Sequence, residues 1–126
     1  MRYAETDAMG IAHHASYVVW LELARVEWLK AAGADYRWLE REGVSLAVSK
    51  LELDYRSSLR FDDEITVSAQ LTEAKSRRAA FAYSITAKDN RRVAEAVTWH
   101  VPVGKNGLAT RMPEGWLERL RPLVTL

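Results

Sequence analysis

An α+β fold, one antiparallel sheet wrapped around one long helix, is predicted for this 126-residue chain by three observations. The stretch from about Ala15 to Ala32 carries apolar residues at helical spacing on nearly every side. After Gly43 the apolar period drops to two. The alternating segments that follow are joined by turns too short for crossovers, so neighbouring strands run antiparallel.

The elements follow in order. Arg2 to Glu5 reads as a short opening strand. In the helix, Tyr17, Leu21, Ala24 and Trp28 mark one buried face, and Val18, Val19, Trp20 and Leu23 widen it. A helix so broadly apolar is wrapped by other structure and not laid on a surface. Glu22–Arg25 and Glu27–Lys30 stand three apart and are expected to pair weakly. Gly33 is the expected left-handed cap. Asp35 is then the N-cap of a short helix over Tyr36 to Glu42, stopped by Gly43.

Strands follow. Between Val44 and Tyr55 the apolar phase slips: Leu46 and Val48 lie in one phase, Leu51, Leu53 and Tyr55 in the other. A bulge near Ser49–Lys50 accounts for the slip, as does a strand covered on both faces. Ile65, Val67, Ala69 and Leu71 alternate with polar residues, as do Ala79, Phe81, Tyr83, Ile85 and Ala87, so each set predicts a half-buried strand. Val93, Val97, Trp99, Val101 and Val103 give the buried phase of the next. Turns are expected at Phe61–Glu64, Lys75–Arg78, Lys88–Arg92 and Asn106–Gly107. Glu114 to Leu120 is a final helical turn. One domain spans 1–126, with no repeat or linker.

Composition narrows the function. Hydrophobic residues make up 48% and charged residues 28%, an ordinary globular balance. A net charge of +1 gives no basic field for nucleic acid. No run reaches the length of a membrane span and the start has no signal-peptide pattern, so no membrane insertion and a cytoplasmic location are expected. The absence of cysteine removes disulfides, thiolate metal sites and a Cys nucleophile.

The chemistry concentrates in "YAETDAMGIAHHASYVVW", Tyr3 to Trp20. Asp7 reads either as a loop or Asx-turn residue or as a carboxylate held beside the start of the long helix. Helix N-termini offer free N–H groups and a positive dipole end, suited to a developing oxyanion. A carboxylate beside such donors is equipped for acyl transfer. Gly10 lets a ligand approach the backbone, or simply serves a turn. His13 and His14 are adjacent and rarely face one ion, and His100, placed opposite Trp99 by the alternation, is the third histidine; no metal site is expected. No serine sits in a strand–turn–helix elbow. Lys75, Arg77 and Arg78 form a basic patch, read either as a solvated hairpin tip or as a phosphate site.

The same residues carry a resemblance. Tyr3, Asp7, Gly10, His14, Ala15, Ser16 and Tyr17, continued by Glu22, Arg25 and "LELDYRSSLRFDDEITV", resemble the hot-dog-fold acyl-CoA thioesterases of the 4-hydroxybenzoyl-CoA thioesterase type, including bacterial enzymes associated with the Tol–Pal operon. The resemblance implies hydrolysis of acyl-CoA thioesters in a homodimer or homotetramer, without a cofactor beyond the coenzyme A of the substrate. It implies Asp7 as nucleophile or general base and the backbone N–H at His14 as polariser of the thioester carbonyl. Tyr3, Asp7 and His14 are the catalytic candidates, and Gly10, Tyr17, Lys75, Arg77 and Arg78 the substrate-binding ones. Two departures stand out. Relatives often have Pro-Ala near Ser57–Ser58, and often an aromatic residue in place of His13. An acyl-carrier-protein thioesterase and a non-catalytic acyl-CoA-binding module are the alternatives. Tyr17, Trp20 and the second phase of 44–55 supply more apolar surface than one small sheet covers, so at least a dimer is expected.

Overall fold

The computed structural model describes residues 14–59 and 63–125, with side chains from Ser16 onward. The expected opening strand and the first half of the Phe61–Glu64 turn lie outside those residues. The long helix, α1, runs His14–Ala31. It ends where Gly33 takes φ +76°, with Ala34 N–H donating back to the Leu29 carbonyl at 2.9 Å. The second helix, α2 (Tyr36–Arg41), starts as its cap predicts: the Asp35 carboxylate accepts from Arg37 N–H at 2.7 Å. Gly43, at φ +74°, turns the chain into the sheet.

Four antiparallel strands follow, β1 (Val44–Tyr55), β2 (Ile65–Lys75), β3 (Arg78–Ala87) and β4 (Arg92–Gly104), in the order β1-β4-β3-β2. The bulge reading of β1 is the correct one: pairing with β4 shifts between Val48 and Lys50, which returns Leu51, Leu53 and Tyr55 to the face of Leu46 and Val48. The Asn106–Gly107 turn forms, with Gly107 at φ +79°. Helix α3 (Glu114–Leu120) and a 3₁₀ turn (Arg121–Leu123) close the described chain. α3 fastens the far end of α1, since Trp116 Nε1 donates to the Ala34 carbonyl and Arg119 Nε to that of Ala32.

α1 lies on the inner face of the sheet. Trp28 packs edge-on against Phe81 of β3 with centroids 5.5 Å apart, and Tyr17 meets Tyr55 of β1 in the same way at 5.0 Å. Leu21, Leu29, Leu71, Phe81, Ile85, Val93, Trp116, Leu117 and Leu120 are fully buried. This is the predicted architecture: one antiparallel sheet around one long helix.

Three expectations are corrected. In β4 the inward residues are Ala94, Ala96, Thr98 and His100, paired with Ile85, Tyr83, Phe81 and Ala79, so Val97, Trp99, Val101 and Val103 face outward. The small side chains of β4 leave room for the large ones of β3 and α1. Arg25 does not pair with Glu22; it is buried, and its guanidinium donates to two tyrosines, Nε to Tyr36 Oη at 2.8 Å and Nη1 to Tyr83 Oη at 3.1 Å. Tyr17 and Trp20 are buried within the single chain. Of the second phase of β1, Leu51 and Tyr55 are exposed as expected, and Val48, Val18, Val19 and Leu23 are exposed beside them, with Leu108 and Leu123 exposed elsewhere.

Candidate active site

The start of α1 is the site's one described anchor. His14 opens the helix, and the leading N–H groups of a helix have no acceptor within it. Summed peptide dipoles add partial positive charge at that end, so an anion or oxyanion is favoured there. Tyr3, Asp7, Gly10 and His13 lie outside the described residues.

One turn into α1, Tyr17 has only 3% of its surface exposed. Its ring sits edge-on to Tyr55 and tilted against Trp20, each with centroids 5.0 Å away. Burial, with a smaller contribution from Tyr55, raises the Tyr17 pKa, so its phenol is neutral at physiological pH. Trp20 then leads into an open trough of about 690 Å³ between α1 and β2. Its walls are Trp20, Leu23, Ala24, Glu27, Trp28 and Ala31 on one side and Ile65, Val67 and Ala69 on the other. The size and the mainly apolar lining, with Glu27 its one charged member, suit a small hydrophobic ligand group.

The predicted basic patch sits on the β2–β3 hairpin, with Ser76 and Arg77 at its tip. Glu73 lies in its midst and accepts from Lys75 Nζ at 3.2 Å and from Arg78 Nη2 at 2.8 Å. The hydrogen bond from Arg78, helped by Lys75, lowers the Glu73 pKa and keeps it ionised. Glu73 thus offsets part of the charge of the three cations. The sequence alone marks Tyr55, which packs on Tyr17, only as a strand residue. It marks Arg25, farther along α1, only as a surface ion-pair partner, although position 25 is four from both Leu21 and Leu29.

Among the described residues no helix is long and apolar enough to cross a membrane. One antiparallel sheet around one long helix is the hot-dog fold of the thioesterases. The chain belongs to the Thioesterase-like superfamily, which matches residues 1–120. It is 32% identical over 94 residues to the acyl-CoA thioester hydrolase YbgC of Escherichia coli O157:H7, covering 75% of this chain and 70% of that protein. Among solved structures it is similar to protein TT1821 of Thermus thermophilus, with a TM-score of 0.91, 38% identity and coverage of 98% of this chain and 94% of that one. It also resembles a DHNA-CoA thioesterase from Staphylococcus aureus, with a TM-score of 0.84, 25% identity, and coverage of 97% and 79%.

Proposed function

We propose that the protein hydrolyses acyl-CoA thioesters, releasing a free acid and coenzyme A. The observation that carries this reading is the seven-residue interval from Asp7 to His14, with α1 beginning at His14. The thioester carbonyl lies against the N-terminal turn, where the His14 N–H withdraws electron density from carbon. Asp7 deprotonates the attacking water, or attacks directly to give a mixed anhydride that water then cleaves. On the general-base route water forms the new acyl–oxygen bond as the acyl–sulfur bond breaks. On the covalent route the Asp7 oxygen displaces sulfur first, and water then forms a C–O bond as the anhydride C–O bond breaks and frees Asp7. On both routes the departing thiolate takes up the proton released from water. Tyr3 joins Asp7 and His14 as a catalytic candidate, and Gly10 and Tyr17 are the substrate-binding candidates beside them. The trough beyond Trp20 takes the acyl group, and the 75–78 hairpin faces the nucleotide phosphates.

Family membership and the E. coli relative, which is named for acyl-CoA, support this reading. The protein works as a homodimer or larger homo-oligomer in the cytoplasm, where coenzyme A esters are the available substrates. Thiol release from a panel of short, long, branched and aromatic acyl-CoAs tests the reading, with the matching acyl-carrier-protein thioesters alongside. Turnover of at least one acyl-CoA is expected. Turnover of carrier-protein esters alone would transfer the activity to that substrate class, and binding of acyl-CoA without hydrolysis would make the chain a binding module.

A further inference from the structure

Arg25 is the one buried charge on α1 among the described residues, and it has no carboxylate partner among them. Burial disfavours its charge, but Tyr36 and Tyr83 favour it by more, so it stays ionised. From Tyr83 the contacts run on across the sheet. Tyr83 Oη lies 2.6 Å from Thr98 Oγ1, which lies 2.8 Å from Nε2 of the fully buried His100. The chain has a preferred direction. A guanidinium can only donate, so Tyr83 accepts from it and gives its own proton to Thr98, and Thr98 gives its proton to His100 Nε2. Reversing the hydroxyls would leave the Tyr83 proton without an acceptor. The favoured arrangement places the His100 proton on Nδ1, a buried atom with no partner among the described residues.

Why would a core keep such a chain? Most of the contacts around α1 are apolar, and the hydrophobic effect is non-directional. A helix apolar on nearly every side can satisfy it in more than one rotation. A slide of one residue along the axis moves a helix end by about 1.5 Å and turns it by about 100°. Arg25 removes that freedom, because its planar fork meets two fixed phenol oxygens, one on α2 and one on β3.

We propose that Arg25, acting through Tyr36 and the Tyr83–Thr98–His100 chain, is the positioning residue that sets the rotation and slide of α1, and so the placement of its N-terminal N–H groups. The proposal rests on the thioesterase reading for its catalytic consequence. Arg25 sits eleven residues beyond His14, about 16 Å along a rigid helix, and does not touch the substrate. Misplacement of a catalytic group by about 1 Å can cost on the order of a hundredfold in rate.

Arg25→Met keeps an unbranched chain without the fork, and Tyr83→Phe removes only the hydroxyl that links α1 to β3 and β4. Both are compared with the parent in steady-state kinetics on an acyl-CoA that the parent hydrolyses. Amide shifts of residues 14–20 are read by NMR. The expected result is a fall in kcat of tenfold or more with KM within about twofold, shifted first-turn amides and little change in Tm. Because the two residues act as a unit, the double variant should lose little more than the worse single one. Folded variants with parental kcat and unmoved first-turn amides would overturn the proposal, as would losses of activity that only track the folded fraction. Should Arg25→Met fail to fold, Tyr83→Phe decides alone. A parent without thioesterase activity ends the functional reading, and the amide shifts then decide the positioning role separately.

Discussion

His100 shows what burial does to a single side chain. Burial, and then the charge of Arg25, lowers its pKa from 6.5 to about 4. Between those values the unfolded chain binds a proton that the native chain refuses. Stability is therefore complete above about pH 6.5 and falls as the pH drops towards 4. A shift of this size amounts to about 3 kcal/mol. Urea unfolding at pH 7, 5 and 4 should show the parent weakening more steeply than His100→Gln, which cannot titrate. Parallel losses in the two proteins would mean that His100 does not carry the acid sensitivity. The neighbouring Arg25 marks where sequence reading ends at this scale. Arg25 shares the buried stripe with Leu21 and Leu29, yet an arginine three residues from a glutamate reads equally well as a surface pair. What turned it inward was a pair of phenols, eleven and fifty-eight residues away in the chain.

At the scale of elements, local chemistry was the better guide. The caps Asp35 and Gly33 and the Asn106–Gly107 turn are each fixed by neighbours in the chain, and each forms where the residues place it, whereas the phase slip in β1 had two readings until pairing with β4 decided for the bulge. The phase of β4 failed because both its faces are apolar. Val97, Trp99 and Val101 outweigh Ala94, Ala96 and Thr98 in hydrophobicity, but pairing with β3 put the small residues inside. Hydrophobic period reports which residues alternate, and a long-range register decides which set is covered. The β2–β3 hairpin carries a functional prediction. Neutralising Lys75, Arg77 and Arg78 together should raise KM for acyl-CoA while sparing a short thioester that lacks the nucleotide. Equal changes for both substrates would remove the hairpin from phosphate binding. Glu73 already engages Lys75 and Arg78, so Arg77→Gln alone should account for much of the effect.

For the whole molecule, the single chain leaves apolar side chains at the surface. Val48, Leu51 and Tyr55 project from the inner face of an edge strand, and Val18, Val19 and Leu23 from the helix. Long apolar edge strands invite pairing with another chain. Sedimentation at micromolar concentration should show a dimer or larger species, and Val48→Lys with Leu51→Lys should shift it towards monomer. A monomeric parent would contradict this. The excess of apolar surface was legible from composition and period, and its address in part: Leu51 and Tyr55 of β1 are exposed as expected, whereas Tyr17 and Trp20 are covered by contacts within the chain.

The proposed hydrolysis needs a carboxylate as nucleophile or base, and Asp7→Asn tests that need most directly. Asparagine keeps the size and much of the hydrogen bonding but can neither attack the acyl carbon nor deprotonate water. Thiol release at saturating acyl-CoA, measured beside the affinity for the same ester, should show binding near the parental value. Turnover should fall at least a hundredfold, roughly 3 kcal/mol in the barrier. An Asp7→Asn variant that retains the full kcat of a hydrolytically active parent would make Asp7 a turn residue and the mechanism wrong.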